Sequence, residues 1–392
     1  MKKKKTGNGL NRFRSSTEGL LLRYRRIAVA FLGMLVAAIV ISSGCGKTNS
    51  GTTVLQHAQY VIALSQPAGS VNGSLYALSP TTGTVEKLDL NVGVIPNSML
   101  LDGNNLYVVN AGNATISLVT ITETTTNIYM TNNGMIQLPS ASWPEYITVA
   151  TINGIQKGYV SLNGTNQVAV LNMDKNTVLG YITIKPYSTW SPSFEPHPWG
   201  IAAVNGRIMV ANNSADYSAY TYTQPAMVSV IDPATDTLLT PITTTTGINL
   251  QAVEPTATGF VVISNGNYSN IGGYAELFDN NLNETHVIPL SGGGAGIAIS
   301  PTDSIGYVAL NSMVGYDLIN TNTGEWITTT NLTKQVSGLS GFNLTSIKFA
   351  PDGTLWATDW RDNMVFEIDP QTNTVIKTFK LPEPAQDVVF VY

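Results

Sequence analysis

Leu344–Leu381 reads LTSIKFAPDGTLWATDWRDNMVFEIDPQTNTVIKTFKL. Four short apolar-alternating runs are separated by Asp352-Gly353, Asp362-Asn363 and Gln371-Thr372-Asn373. Gly, Asn and Asp supply turn conformations, and alternation with period two gives each run one buried face. The stretch therefore predicts a four-stranded antiparallel meander.

Much of the upstream chain can be laid over this unit. Its second run recurs as YVIALS (Tyr60), LYVVN (Leu106), GYVSLN (Gly158), IMVANN (Ile208), FVVISN (Phe260), GYVALN (Gly306) and LWATDW (Leu355). Its third run recurs from LYALSP (Leu75) to MVFEIDP (Met364), followed by turns of one flavour: TTGTV, DKNTV, ATDTL, NLNET, TNTGEW, QTNTV. Only the copy around Thr122–Thr126 blurs that turn. First runs begin at Pro96, Pro144, Pro198, Leu250, Gly294 and Leu344. A period of about 40 to 55 residues fits propeller blades better than solenoid repeats. The N-terminal copy lacks a first run, and a spare run, Pro384–Tyr392, follows the last meander. Letting that terminal run complete the first blade closes the ring and removes an open edge. The expected fold is an all-β, seven-bladed β-propeller over residues 59–392.

Charge divides the chain. Nine of the twenty Lys and Arg lie in the first 26 residues, opposed there only by Glu18. The remainder carries 11 basic against 24 acidic side chains, a net of −13, which argues against nucleic acid as a partner. The basic leader is followed by the apolar run Ile27–Ile41, small residues and Cys45, the single cysteine. This is the composition of an export signal. Residues 1–45 resemble a bacterial lipoprotein signal, with Ser43 and Gly44 fitting and Ser42 standing where Leu, Val or Ile is usual. The resemblance implies lipidation of Cys45; the rival reading is an uncleaved signal anchor, since the apolar run approaches spanning length. Either way the expectation is a membrane-tethered, exported body on the periplasmic or cell-surface side of the envelope. Residues 46–58, small and polar at their start, are expected to be a flexible tether. With no second cysteine, the body must be stable through its own core.

LYVVNAGNATISLV and MVSVIDPATDTLL are similar to the YVTN-type β-propeller repeats of exported and surface-layer proteins. LTSIKFAPDGTLWATDWRDNMVFEID resembles the related repeats of NHL and streptogramin-lyase-like propellers. The resemblance spans about Gln59 to Tyr392 and rests on packing and turn positions, so it implies fold more than task. Such propellers include binding and scaffold modules, lactonases and lyases.

Two long loops of the fourth blade should be neighbours: Lys185–Gly200, KPYSTWSPSFEPHPWG, and Asn213–Ala226, NSADYSAYTYTQPA. Tyr187, Trp190, Phe194, Trp199, Tyr217, Tyr220 and Tyr222, with Glu195, His197 and Asp216 among them, suit stacking on sugar rings or anchoring a protein. The alternative is that these rings pack on one another and stiffen the loops. Glu145, His197, Gln251, Asn343 and Asp387 are expected near the channel mouth, at the starts of first strands. An enzyme of the lactonase or lyase kind would draw on Glu145, His197 and Asp387 there. The only other histidines, His57 and His286, are not placed to complete a metal cage or an acid–base pair. No haem motif, P-loop or copper-ligand cluster is present, and no cofactor or metal is expected. Asp359–Asn363 reads as a solvated hairpin. The expected task is a monomeric binding or scaffold module for a protein or glycan partner; the alternative is a periplasmic lactonase- or lyase-like enzyme.

Overall fold

The computed structural model describes residues 52–56, 59–223, 225–341 and 343–391; the leader, Cys45 and His57 lie outside them. Seven small antiparallel sheets form a ring, the arrangement of a seven-bladed β-propeller. The inner strands are Pro96–Asp102, Pro144–Ile152, Pro198–Val204, Leu250–Thr256, Gly294–Ile299 and Leu344–Phe349 in blades 2 to 7. Blade 1 takes its inner strand, Ala385–Val391, from the chain's end, paired with Tyr60–Ser65 from Tyr60↔Val391 to Ser65↔Ala385. No helix among the described residues is long and apolar enough to cross a membrane.

The repeated tyrosine has a structural task. Tyr107, Tyr159 and Tyr307 are buried on second strands, and each hydroxyl reaches the outer turn of the following blade. Tyr107 donates to Asn176 Oδ1 at 3.1 Å, Tyr159 to Asp236 Oδ1 at 2.7 Å and Tyr307 to the Pro370 carbonyl at 3.0 Å. Burying an aromatic body while satisfying its hydroxyl lets one residue type both pack and fix blade order. At the ring closure, Trp356 of blade 7 stacks on Phe379 at 5.5 Å and meets Phe390 of the closing strand edge-on at 6.3 Å.

Thr52–Gln56, inside the expected tether, is a strand. It pairs antiparallel with Asn127–Gln137, from Thr52↔Thr131 to Gln56↔Asn127, and gives blade 2 a fifth strand. Leu55 is buried in one apolar cluster with Ile121, Ile128 and Met130. That burial is the reason five mostly polar residues are ordered. It also accounts for the blurred turn of the second copy: strands Thr115–Glu123 and Asn127–Gln137 are longer than their counterparts, and the extension carries the added strand.

Asp359 corrects another expectation. It is buried at the end of a second strand, and its Oδ1 accepts from the backbone N–H groups of Arg361 and Asp362 at 2.9 and 3.0 Å. Burial is the main force pushing its carboxyl up to about 7, with Asp362 nearby adding to it. The hairpin is therefore not a solvated one at its first residue.

Candidate functional site at the channel mouth

All seven inner strands carry a register shift within their first four residues. The irregularity brings one extra residue per blade to the top of the ring: Asn97, Glu145, Trp199, Gln251, Ala295, Thr345 and Gln386. Bulges of this kind bend the strand and re-aim a side chain. In five blades the residue just before the inner strand is left-handed: Ile95, Trp143, His197, Asn249 and Asn343, with φ between 47 and 75°. Side chains other than Gly and Asn rarely adopt that conformation, so the fold holds it against a local cost. In six blades the residue after the second strand donates its N–H to the carbonyl at that same position, as Asn163 does to Trp143 and Asn213 to His197, both at 3.0 Å. The mouth is thus a repeated device, whose side chains at this second position are Gln66, Ala111, Asn163, Asn213, Asn265, Asn311 and Trp360.

Amides and acids connect across this rim. Gln66 Nε2 donates to Asn97 Oδ1 at 2.8 Å, and Asn97 Nδ2 donates to Glu145 Oε2 at 2.5 Å, linking blades 1, 2 and 3. Glu145 is 1 % exposed. Burial drives its carboxyl well above the usual range, partly offset by hydrogen bonds from Asn97 and the Trp143 side chain. No hydrogen bond of ordinary geometry reaches its Oε1.

The fourth-blade loops are tied together above blades 3 to 5. Glu195 bridges Ala215, and Ala215–Asp216 pairs with Thr221–Tyr222. Tyr217 donates to Asn213 Oδ1 at 2.5 Å, and Asn163 Nδ2 donates to the Tyr217 hydroxyl at 3.2 Å. His197 stacks on Tyr217 with centroids 3.9 Å apart, and its Nδ1 lies 3.2 Å from the Asn163 carbonyl oxygen. Burial lowers the His197 pKa, leaving a neutral ring at pH 7. Tyr222 meets Tyr268 of the fifth-blade loop edge-on at 6.3 Å. Tyr268 is 51 % exposed, while Asn265 Nδ2 donates to its hydroxyl at 2.9 Å.

The expected loop aromatics therefore separate. Tyr187 and Trp190 pack against the apolar cluster between blades 3 and 4, and Trp190 Nε1 donates to the Pro225 carbonyl at 2.9 Å. Phe194 is half-buried, with its N–H on the Ser191 carbonyl. Trp199 takes the extra position of blade 4, its carbonyl accepting from Ser161 Oγ at 2.5 Å. Next to it Gly200 is obligatory, since a Cβ there would lie 2.4 Å from the Gln251 carbonyl oxygen of blade 5. Tyr217 and Tyr222 stand in the rim, and Tyr220 is exposed at the hairpin turn.

Below the rim the channel has a volume of about 370 Å³ and includes Gln251, Tyr146, Glu254, Lys348 and Asp387 in its wall. Asp387 is consumed by structure. It accepts from Ser346 Oγ at 2.7 Å and from the Met99 N–H at 2.8 Å, and it pairs with Lys348 Nζ at 2.7 Å. Glu145, His197 and Asp387 thus have separate partners: Asn97, Tyr217 with Asn163, and Lys348. Among the described residues no group of three or more His, Cys, Asp or Glu could hold a metal ion. Sequence reasoning missed Tyr268, Asn265, Glu254 and Lys348. The signals were a Gly- and Asn-rich fifth-blade loop, and charges at alternate positions of otherwise apolar inner strands.

No family model and no curated protein matches the sequence. Solved propellers do match the structure. A candidate 6-phosphogluconolactonase of Bacteroides fragilis is 15 % identical, with a TM-score of 0.63 over 89 % of this chain and 100 % of its own. The periplasmic gluconolactonase PpgL of Pseudomonas aeruginosa is 14 % identical, with a TM-score of 0.64 over 86 % of this chain and 99 % of its own. Virginiamycin B lyase of Staphylococcus aureus is 13 % identical, with a TM-score of 0.54 over 73 % of this chain and 84 % of its own. At these identities the likeness defines the class, a seven-bladed β-propeller, and nothing finer.

Proposed function

We propose that the protein is a membrane-tethered, exported binding module of the YVTN-type propeller kind, held at the envelope by lipid on Cys45 or by its N-terminal anchor. Its partner is a glycan, bound through sugar units at the upper mouth. The observation that carries this reading is the chemistry of the rim between blades 3 and 5. Tyr222 and Tyr268 offer partly exposed rings and Gln251 a partly exposed amide, on a frame built by the buried amides of Asn163, Asn213 and Asn265 and by Tyr217. Neutral amides and aromatic faces match the alternating hydroxyl and C–H surfaces of a sugar, with no net charge to desolvate.

The test is glycan-array and affinity measurement on the soluble body, beside Tyr268→Ala and Gln251→Ala. Retention of a glycan by the parent and its loss in both variants, at unchanged melting temperature, supports the reading. A parent that retains only proteins, or variants that bind as the parent does, overturns it.

A second reading is hydrolysis of a sugar lactone. It draws on the buried Glu145 carboxyl, whose pKa burial raises well above the usual range, and on neighbours named as gluconolactonases. Water would attack the lactone carbonyl and the ring C–O bond would break, with Glu145 able to donate to the carbonyl oxygen. Turnover of glucono-1,5-lactone that Glu145→Gln abolishes is the result that would favour it.

A further inference from the structure

We propose that the channel interior is a second binding site, distinct from the rim, for a small organic cation: a primary ammonium on a short aliphatic stem. Its wall is two-sided. On the side of blades 4 to 6 it presents Ala202, Ala252, Ala295 and Gly296; on the opposite side, blades 7, 1 and 2 present Ser346, Lys348, Gln386 and Asn97. A Cβ built on Gly296 meets nothing within 4 Å, so the small residues of blade 6 leave open space rather than close packing. A volume of about 370 Å³ lies in the range of small-molecule sites.

Among the described residues, three charged side chains line this space: Glu254, Lys348 and Asp387. Lys348 is already occupied. Its ammonium reaches Asp387 Oδ1 and Oδ2 at 2.7 and 2.8 Å and the Val388 carbonyl at 3.1 Å, which uses its three protons. Asp387 is likewise filled. Glu254 stands two residues deeper in blade 5 than Ala252, roughly 7 Å down the strand. No hydrogen bond or ion pair to it is present among the described residues. With the Lys348–Asp387 pair neutral overall, Glu254 is left as a carboxylate without a hydrogen-bonded partner, acted on by Lys348 only through space, beside an apolar wall.

That combination selects the ligand. An anion meets Glu254 and finds no free cation. A metal ion needs several oxygen or nitrogen ligands at once, and one carboxylate here has no companions. An alkylammonium places its charge on Glu254 and its methylenes against Ala202, Ala252, Ala295 and Gly296. The pairing is strengthened because Glu254 is partly desolvated within the channel.

The experiment is ligand-observed NMR and calorimetry with n-butylammonium and with neutral n-butanol, at about pH 8, above the value of about 7 to which burial pushes Glu254. The soluble body is compared with Glu254→Gln and Gly296→Leu. Saturable binding of the ammonium, at least about tenfold weaker for butanol and for both variants, supports the site; tenfold is the effect of one modest ion pair. Circular dichroism and melting curves verify the fold, which Glu254→Gln should keep because no hydrogen bond to the Glu254 side chain is present among the described residues. Absence of saturable ammonium binding by the parent, or equal binding by parent and Glu254→Gln, overturns it. The glycan reading fails or stands separately, since Tyr268→Ala leaves this chamber intact.

Discussion

Lys348 Nζ lies 2.7 Å from Asp387 Oδ1, and that ion pair fastens the last inner strand of the chain to the blade before it. The same carboxylate receives the Met99 N–H of blade 2, so one side chain joins blades 7, 1 and 2. Replacing Asp387 by Ala leaves Lys348, Ser346 and the Met99 N–H without their acceptor. The expected loss is about 2–3 kcal/mol, lowered from the value for a fully buried pair because Lys348 is partly exposed. A shift in the urea midpoint measures it, and a midpoint equal to the parent's would refute the closure role.

Asp359 occupies the place that Asn110 and Asn212 hold in blades 2 and 4, each at the end of a second strand. In those blades the amide donates to a strand carbonyl, at 3.1 Å to Val108 and to Val210. Asp359 must instead be protonated to sit comfortably. Its pKa rises from an ordinary 3.8 to about 7, so the native state binds the extra proton between those values. The Asp359 contribution to stability therefore falls as pH rises from about 4 to about 7 and is flat above that. Asp359→Asn should lessen that slope, leaving the part due to Glu254 and Glu276, and stabilise the ring by about 1–2 kcal/mol at neutral pH. Denaturant midpoints across this pH range test it; a variant with the parent's slope counts against the argument.

Tyr159→Phe removes the hydroxyl that reaches Asp236 and the Pro233 carbonyl, while Lys157 keeps its own bond to Asp236. The expected cost is about 1–2 kcal/mol with the fold retained, read from thermal or urea unfolding. A neutral outcome would mean that packing alone sets the order of blades 3 and 4.

Trp190 and Tyr268 should part company. Trp190→Ala opens space against the apolar cluster between blades 3 and 4 and strands a loop, costing about 2 kcal/mol. Tyr268→Ala should leave melting unchanged and weaken glycan retention, because half of its surface already meets solvent. If Trp190→Ala proves thermally silent, its assignment to the scaffold fails.

Periodicity carried most of the fold. Six inner strands start at the residues where the apolar runs begin, and the spare run at the end pairs with Tyr60–Ser65, because alternation and turn chemistry are local and repeat seven times. The mouth was harder to read. Glu145, His197 and Gln251 fall near it, yet the left-handed backbone at Ile95, Trp143 and His197 has no Gly or Asn to announce it. Register shifts at the strand starts depend on pairing across the sheet, which no single run encodes. Thr52–Gln56 was hidden for a related reason: its order depends on one leucine and on a distant hairpin that happens to be long enough.

That added strand also alters how the molecule would carry mechanical load. Tension transmitted along the chain from upstream of Thr52 meets five residue pairs on the outer edge of blade 2 before it reaches Tyr60, the partner of the closing strand. The short pairing can peel away and re-form, acting as a fuse that yields first. Load applied from that end would then be dissipated at the periphery, and the circular closure would be spared.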